Sequence, residues 1–261
     1  MKSSIRSRWL ATVSAERKER PGSVLRPNVD SSLGTQLLPS VLSLTAGSVD
    51  VIGFLGLGGL FTAHITGNLV ILAAHVVNGG IAPLAPILSV PVFMAVLGLT
   101  RLLAGGLEAI RHNTLRPLLA LQSLLLAGFL VFCATGGSRV DPNAPNAIIG
   151  GMLGVAAMAV QNAVVQISLD GAPSTAVMTT NITRFMMDIG ALLFEMDPRR
   201  LASAGNRAKY TGEAIIGFAA GCRLGAAFQA AVGLWSLALP TGLALFALGL
   251  SFSVKLSRDT G

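Results

Sequence analysis

Charge is what this sequence most lacks. Asp, Glu, Lys and Arg make up 12% of its 261 residues, about half the roughly 25% usual for a soluble domain. From position 51 to position 100 there is not one of them. Hydrophobic residues reach 52% and the mean hydropathy is +0.68. Such a chain is not a soluble enzyme; it belongs in a membrane. Cysteine is nearly absent as well, with only Cys133 and Cys222, each inside an apolar stretch. That spacing excludes a disulfide framework and a zinc site. The phosphate-binding GxxxxGK[ST] loop, the HExxH zinc helix and the GxSxG nucleophile elbow are all missing. The chain therefore reads as a non-enzyme without a cofactor, and no metal ligands are assigned.

The charges that exist are unevenly placed. Lys2, Arg6, Arg8, Arg17, Lys18, Arg20 and Arg26 crowd the first thirty positions. The net charge of +7 thus marks a cytoplasmic side rather than a nucleic-acid surface. Residues 1–36 form a basic cytoplasmic tail with no signal-peptide core. Within it Ile5, Trp9 and Val13, with Leu10, form the apolar stripe of an interfacial amphipathic helix; a disordered basic tail is the alternative.

The expected fold is an all-α polytopic membrane protein. Stretches long enough to cross occupy 37–60, 84–107, 115–135, 147–169, 214–233 and 234–254. Two further apolar segments are odd: 64–77 is short, and 176–194 carries Arg184 and Asp188. Both read as re-entrant or broken helices. They also resemble each other, with Ile65-Thr66-Gly67-Asn68 in one and Met178-Thr179-Thr180-Asn181 in the other. Asp50 precedes the first and Asn162 the second at nearly the same distance, and Gly98, Arg101 and Gly105 correspond to Gly221, Arg223 and Gly225. This order indicates an internal duplication, with a single transmembrane domain at 37–255 (repeats at about 37–135 and 147–255) and a cytoplasmic tail at 256–261.

Charge then selects the topology. Eight crossings in a 4+4 parallel repeat would place the Arg101, Arg111 and Arg116 region outside, against the positive-inside rule. Six crossings with two re-entrant segments put that region, the Arg199-Arg200-Arg207-Lys209 stretch and both termini inside, and make the halves a 3+3 inverted repeat. The expected location is the bacterial inner membrane, multi-pass.

The stretch Ala46-Gly47-Ser48-Val49-Asp50 with Gly53-Phe54, leading into Phe61-Thr62-Ala63-His64-Ile65-Thr66-Gly67-Asn68, resembles the YoaK-type family of bacterial membrane proteins, defined by a domain of unknown function. Gln161-Asn162-Ala163 and Thr179-Thr180-Asn181 are similar to its second-half motif, with Thr180 standing where that half more often has glycine. The resemblance covers residues 38–255 and implies a membrane architecture, not a reaction.

Asp50 lies near the centre of the 37–60 span, where a carboxylate must be protonated, paired or hydrated. Thr66, Gly67 and Asn68, with Gln161, Asn162, Thr179 and Asn181, bring amides and hydroxyls to the same interior; broken helix ends there hold substrates or ions. These eight residues are the expected substrate- or ion-binding set. His64, Arg184 and Asp188 are candidates for a gate or proton relay, although Arg184 and Asp188, four apart, share a helical face and can neutralise each other. Arg101 and Arg223 are expected to snorkel near inner span ends. The functional expectation is a small secondary transporter or permease for a small solute, proton-coupled through Asp50. The alternative is a non-transporting interaction or scaffold protein using the basic tail on lipid or a partner. Expected partners are the bilayer, a small solute or proton, and a second copy of the chain; nucleic acid is not among them.

Overall fold

The computed structural model describes residues 33–78, 83–110, 112–134, 141–169 and 172–253. Contacts divide the chain into Val29–Lys255 and a terminal unit of Met1–Asn28 with Leu256–Gly261; only the first is described below. The expected tail helix, the Arg111 position and the 256–261 tail lie outside the described residues.

Helices are the only regular elements among the described residues. They are α1 (Leu33–Gly56), α2 (Ile65–Val77), α3 (Leu84–Ala109), α4 (Leu115–Ala134), α5 (Pro145–Ser168), α6 (Met178–Phe194), α7 (Pro198–Val232), a 3-10 turn (Gly233–Leu237) and α8 (Ala238–Ser253). A hydrocarbon core of about 30 Å needs about 20 helical residues. Five segments meet that length with the required apolarity: Leu37–Gly56, Leu84–Ala109, Leu115–Ala134, Pro145–Ser168 and Pro198–Ser253. The last is 56 residues long, too much for one crossing, and it breaks at Gly233 (φ 61°, ψ −142°). Only glycine enters that backbone region without strain. The chain is thus an all-helical, multi-pass membrane protein.

Two boundaries differ from the expected ones. The first span stops at Gly56 instead of running to 60, because Gly58 (φ 64°) and Gly59 (φ 90°) turn the chain. The 214–233 span is the far part of a 35-residue helix that begins at Pro198. Asp197 caps that start by accepting from the Arg199 N–H at 2.9 Å, and Pro198 occupies the first turn, where its missing N–H costs nothing.

Inter-helix contacts give the directions. Gly47 lies on the backbone of Phe218, Gly217 on Ser40, Gly221 on Leu44 and Gly225 on Ser48, so α1 and α7 run parallel. Against α5 the order reverses: the Leu42 carbonyl accepts from Gln161, while Leu57 and Leu60 lie against Gly151. Helices α4 and α5 are antiparallel, joined by Thr114 with Ser168 at 3.0 Å and by Cys133 against Gly150. Helices α4 and α8 are antiparallel too, through Thr241 on the Leu126 carbonyl and Arg116 on the Ser251 carbonyl.

Two apolar clusters mark the two ends of the bundle. One joins Ile52, Leu57, Ala85, Cys133, Ala147 and Leu237; the other joins Leu38, Ala104, Leu115, Val164 and Ala247. Helices α1 and α4 run from the Leu38 end to the Leu57 end, whereas α3, α5 and α8 return. Helix α1 delivers the chain to the Leu57 end and α3 departs from that same end. The 13-residue α2 between them therefore makes no net crossing. Likewise α6 joins α5, which finishes at the Leu38 end, to α7, which leaves from it. The long helices pair across the two parts of the chain, α1 on α7 and α8 and α5 on α3 and α4, whereas each short helix packs on the long helix that follows it, α2 on α3 and α6 on α7.

Candidate functional site

The two short helices seat a buried polar group apiece. In the first half, Asp50 is 4% exposed and faces the loop that starts α2. Its Oδ1 accepts from the backbone N–H groups of Thr62 at 2.8 Å, Ala63 at 2.8 Å and His64 at 3.4 Å. The Thr62 hydroxyl donates to the same oxygen at 3.4 Å. Oδ2 meets His64 Nδ1 at 2.6 Å. A carboxylate from α1 thus satisfies backbone donors at the mouth of α2 that otherwise have no partner in an apolar interior. His64 lies edge-on to Phe218 at 5.3 Å and to Phe61 at 6.4 Å, and its side chain remains 33% exposed. The pair is therefore buried on the carboxylate side and open on the imidazole side, a geometry suited to handing a proton outward.

Asn68, fully buried, locks the same loop. Its Nδ2 donates to the Phe61 carbonyl at 2.7 Å and to Ser89 Oγ at 2.8 Å, while its Oδ1 accepts from the Phe61 N–H at 2.9 Å. In the second half Asn181 Nδ2 donates to the Ser174 carbonyl at 2.5 Å, again seven residues upstream. Segments 61–68 and 174–181 align without a gap, sharing Thr-Ala, Thr and Asn. The residue that reaches the second loop is Gln161, whose Nε2 donates to Thr175 Oγ1 at 2.9 Å and to the Leu42 carbonyl at 2.9 Å. Thr175 is the counterpart of Thr62, so Gln161 fills the place that Asp50 holds in the first half. Asn162, the sequence counterpart, spends its amide on the Met158 carbonyl of its own helix. One residue on a helix is a rotation of about 100°, which is why spacing alone chose the neighbour.

The halves differ in how completely they are satisfied. Gln122 donates to Gln161 Oε1 at 2.7 Å, extending the second-half chain to α4. Gln122 Oε1, Asn181 Oδ1 and Ser43 Oγ are buried without a hydrogen-bond partner. Gln122 Oε1 ends this bonded chain; Asn181 holds the carbonyl of Ser174, next to Thr175, and Ser43 adjoins Leu42, whose carbonyl belongs to the chain. Thr66 and Thr179 are exposed, away from these amides, and Gly67 lies against the Phe61 ring. The expected Arg184–Asp188 pair does not form. Arg207 of α7 takes Asp188 instead, placing Nε at 3.0 Å and Nη2 at 2.6 Å from Oδ1. Arg223, expected near a span end, lies between Gly221 and Gly225, level with residues 44–48 of α1, and is exposed.

The site set expected from sequence left out Thr62, Ser89, Gln122, Thr175 and Arg207. The Thr-Ala shared by 61–68 and 174–181 was the signal for two of them; the others come from distant helices and leave no local pattern.

Comparison with known proteins agrees with this architecture. The chain is 32% identical over 162 residues to the UPF0700 transmembrane protein YoaK of Bacillus subtilis (strain 168), covering 60% of this chain and 68% of that protein. No solved structure matches it. The family profile described as "Protein of unknown function (DUF1275)" matches residues 38–250, most of the helical bundle, and the chain belongs to that family.

Proposed function

We propose that the chain is a small secondary transporter or permease, built as a 3+3 inverted repeat in the bacterial inner membrane with both termini cytoplasmic. The reading involves no catalysis and no cofactor. The antiparallel course of α1 and α5 and the pairing of the long helices across the two parts of the chain support the repeat, since a two-fold axis in the membrane plane reverses corresponding helices. Arg116 and the Arg199-Arg200-Arg207-Lys209 stretch gather at the Leu38 end, which supports a cytoplasmic assignment for that end. The orientation has a direct test. Cysteines at Asn78 and Glu195, in a background lacking Cys133 and Cys222, are expected to label from opposite sides, Asn78 from outside and Glu195 from inside. Labelling of both from one side would remove the inverted arrangement.

The observation that carries transport is the unpartnered set Gln122 Oε1, Asn181 Oδ1 and Ser43 Oγ. A buried acceptor left empty costs about 1–3 kcal/mol, a cost recovered when a ligand donates to it. Oxygen acceptors suit a small solute that brings N–H or O–H donors or a positive charge. The Asp50–His64 pair supplies the coupling proton in this reading. An untargeted comparison of solutes in cells with and without the protein names the substrate, and proteoliposomes then measure its flux. Gln122→Leu is expected to lower that flux about tenfold, equivalent to one lost hydrogen bond of about 1.4 kcal/mol, while the thermal midpoint is retained. Unchanged flux in folded Gln122→Leu protein would contradict the site. Absence of any solute difference would favour a scaffold acting through its basic tail.

A further inference from the structure

Helix α6 leans on α7, and a cavity of about 360 Å³ opens along their seam. Thr183, Arg184 and Asp188 line it from α6; Arg207, Tyr210 and Thr211 line it from α7. The charges are not balanced. Arg207 is committed to Asp188 through two nitrogens and to Ser203 through a third. Arg184 has no carboxylate partner among the described residues. Its guanidinium therefore faces the cavity with its charge and its fork of donors uncommitted.

The depth of this cavity is fixed by the parallel register of α1 and α7. Gly217 lies against Ser40, near the start of the first apolar span at Leu37. Tyr210 precedes Gly217 by two turns, about 10 Å farther toward the Leu38 end. That is the level where hydrocarbon gives way to headgroups. Met187 lines the cavity beside Arg184 and Asp188 and is 72% exposed. An exposed methionine thus stands one turn from an unpaired guanidinium on the same side of α6, with a tyrosine at interfacial depth. Continuing the ungapped alignment of the two short helices puts Ile71 and His75 opposite Arg184 and Asp188. The first half thus has no guanidinium at the corresponding position.

We propose that this cavity binds the phosphate of an anionic phospholipid in the leaflet at the Leu38 end. The Arg184 guanidinium and the Tyr210 hydroxyl donate to the phosphate oxygens, and an acyl chain packs on Met187. Free phosphate shares the charge chemistry but has no use for the exposed methionine. The neutralised Asp188 does not repel the anion, because Arg207 cancels its charge at bonding distance.

The test uses the full chain in detergent, with thermal unfolding and native mass spectrometry in the presence of phosphatidylglycerol, phosphatidylcholine or inorganic phosphate. Phosphatidylglycerol is expected to be retained preferentially, and Arg184→Gln to weaken it about tenfold, as for one charge-assisted hydrogen bond. Arg199→Gln removes the same charge from α7 outside the cavity and is expected to leave retention within about twofold, as for an exposed charge. Equal losses in both variants would overturn the site in favour of general charge attraction. An undiminished preference in Arg184→Gln would also overturn it. Protection by inorganic phosphate equal to that by phosphatidylglycerol would overturn the lipid assignment.

Discussion

Asp50→Ala is expected to abolish recoverable folded protein, while Asp50→Asn keeps the fold and loses proton-dependent function. The carboxylate holds two close backbone donors at 2.8 Å and a third at 3.4 Å. Alanine leaves them empty in an interior where neither water nor secondary structure substitutes. At about 1–3 kcal/mol for each unsatisfied group, the two close ones cost about 2–6 kcal/mol, a large share of the 5–15 kcal/mol typical of a whole domain. Asparagine is different because its carbonyl oxygen takes the place of Oδ1, and its NH₂ faces His64 Nδ1, which accepts when the imidazole is neutral. The hydrogen bonds survive, but the ion pair and the exchangeable proton are gone. Size-exclusion profiles of the tagged variants separate the two cases. Equal monodisperse yield for Asp50→Ala and the parent would show that the carboxylate does not hold the α2 entrance. In proteoliposomes, flux of an identified solute that retains its pH-gradient dependence in Asp50→Asn would remove Asp50 from coupling.

The bundle was largely legible because a bilayer imposes a demand that sequence must answer locally: each crossing needs its own uninterrupted apolar run. Asp50 was legible for the complementary reason, since a carboxylate deep in such a run must have a purpose. Its actual use was not legible. The partner is the 61–64 loop, reached only after α1 has turned back at Gly58 and Gly59, and no periodicity reports that approach. Arg184 and Asp188 show the opposite failure. Their spacing permits a pair, yet Arg207 brings two nitrogens to Asp188 from another helix, and a rigid two-point donor outcompetes a flexible neighbour. The length of α7 was hidden because its first turns are charged. The Asp197-Pro198 start signal was present, but an apolar-run criterion discards it.

The close backbone approach of α1 and α7 yields the other large effect. A Cβ on Gly221 would run into the Leu44 carbonyl, and one on Gly47 into the Phe218 carbonyl. In both cases the obstacle is helix backbone, which cannot rotate aside as a side chain does. Overpacking against adjustable side chains costs about 1–3 kcal/mol, and here α1 and α7 must separate along their whole contact. Gly47→Ala and Gly221→Ala are therefore each expected to lower the thermal midpoint by about 5 °C or more. The double variant should lose less than the sum, because separation forced by one methyl makes room for the other. Gly98 and Gly105, the sequence counterparts of Gly221 and Gly225 on α3, have nothing within 4 Å of a Cβ. Alanine there should be neutral or stabilising by up to about 1 kcal/mol through helix propensity. Four alanine variants thus divide two against two, and Gly98 and Gly221 fall on opposite sides although their sequence surroundings correspond. A uniform response across all four would mean that the α1–α7 approach is not the close backbone contact on which the parallel register, and the depth assigned to the lipid cavity, both depend.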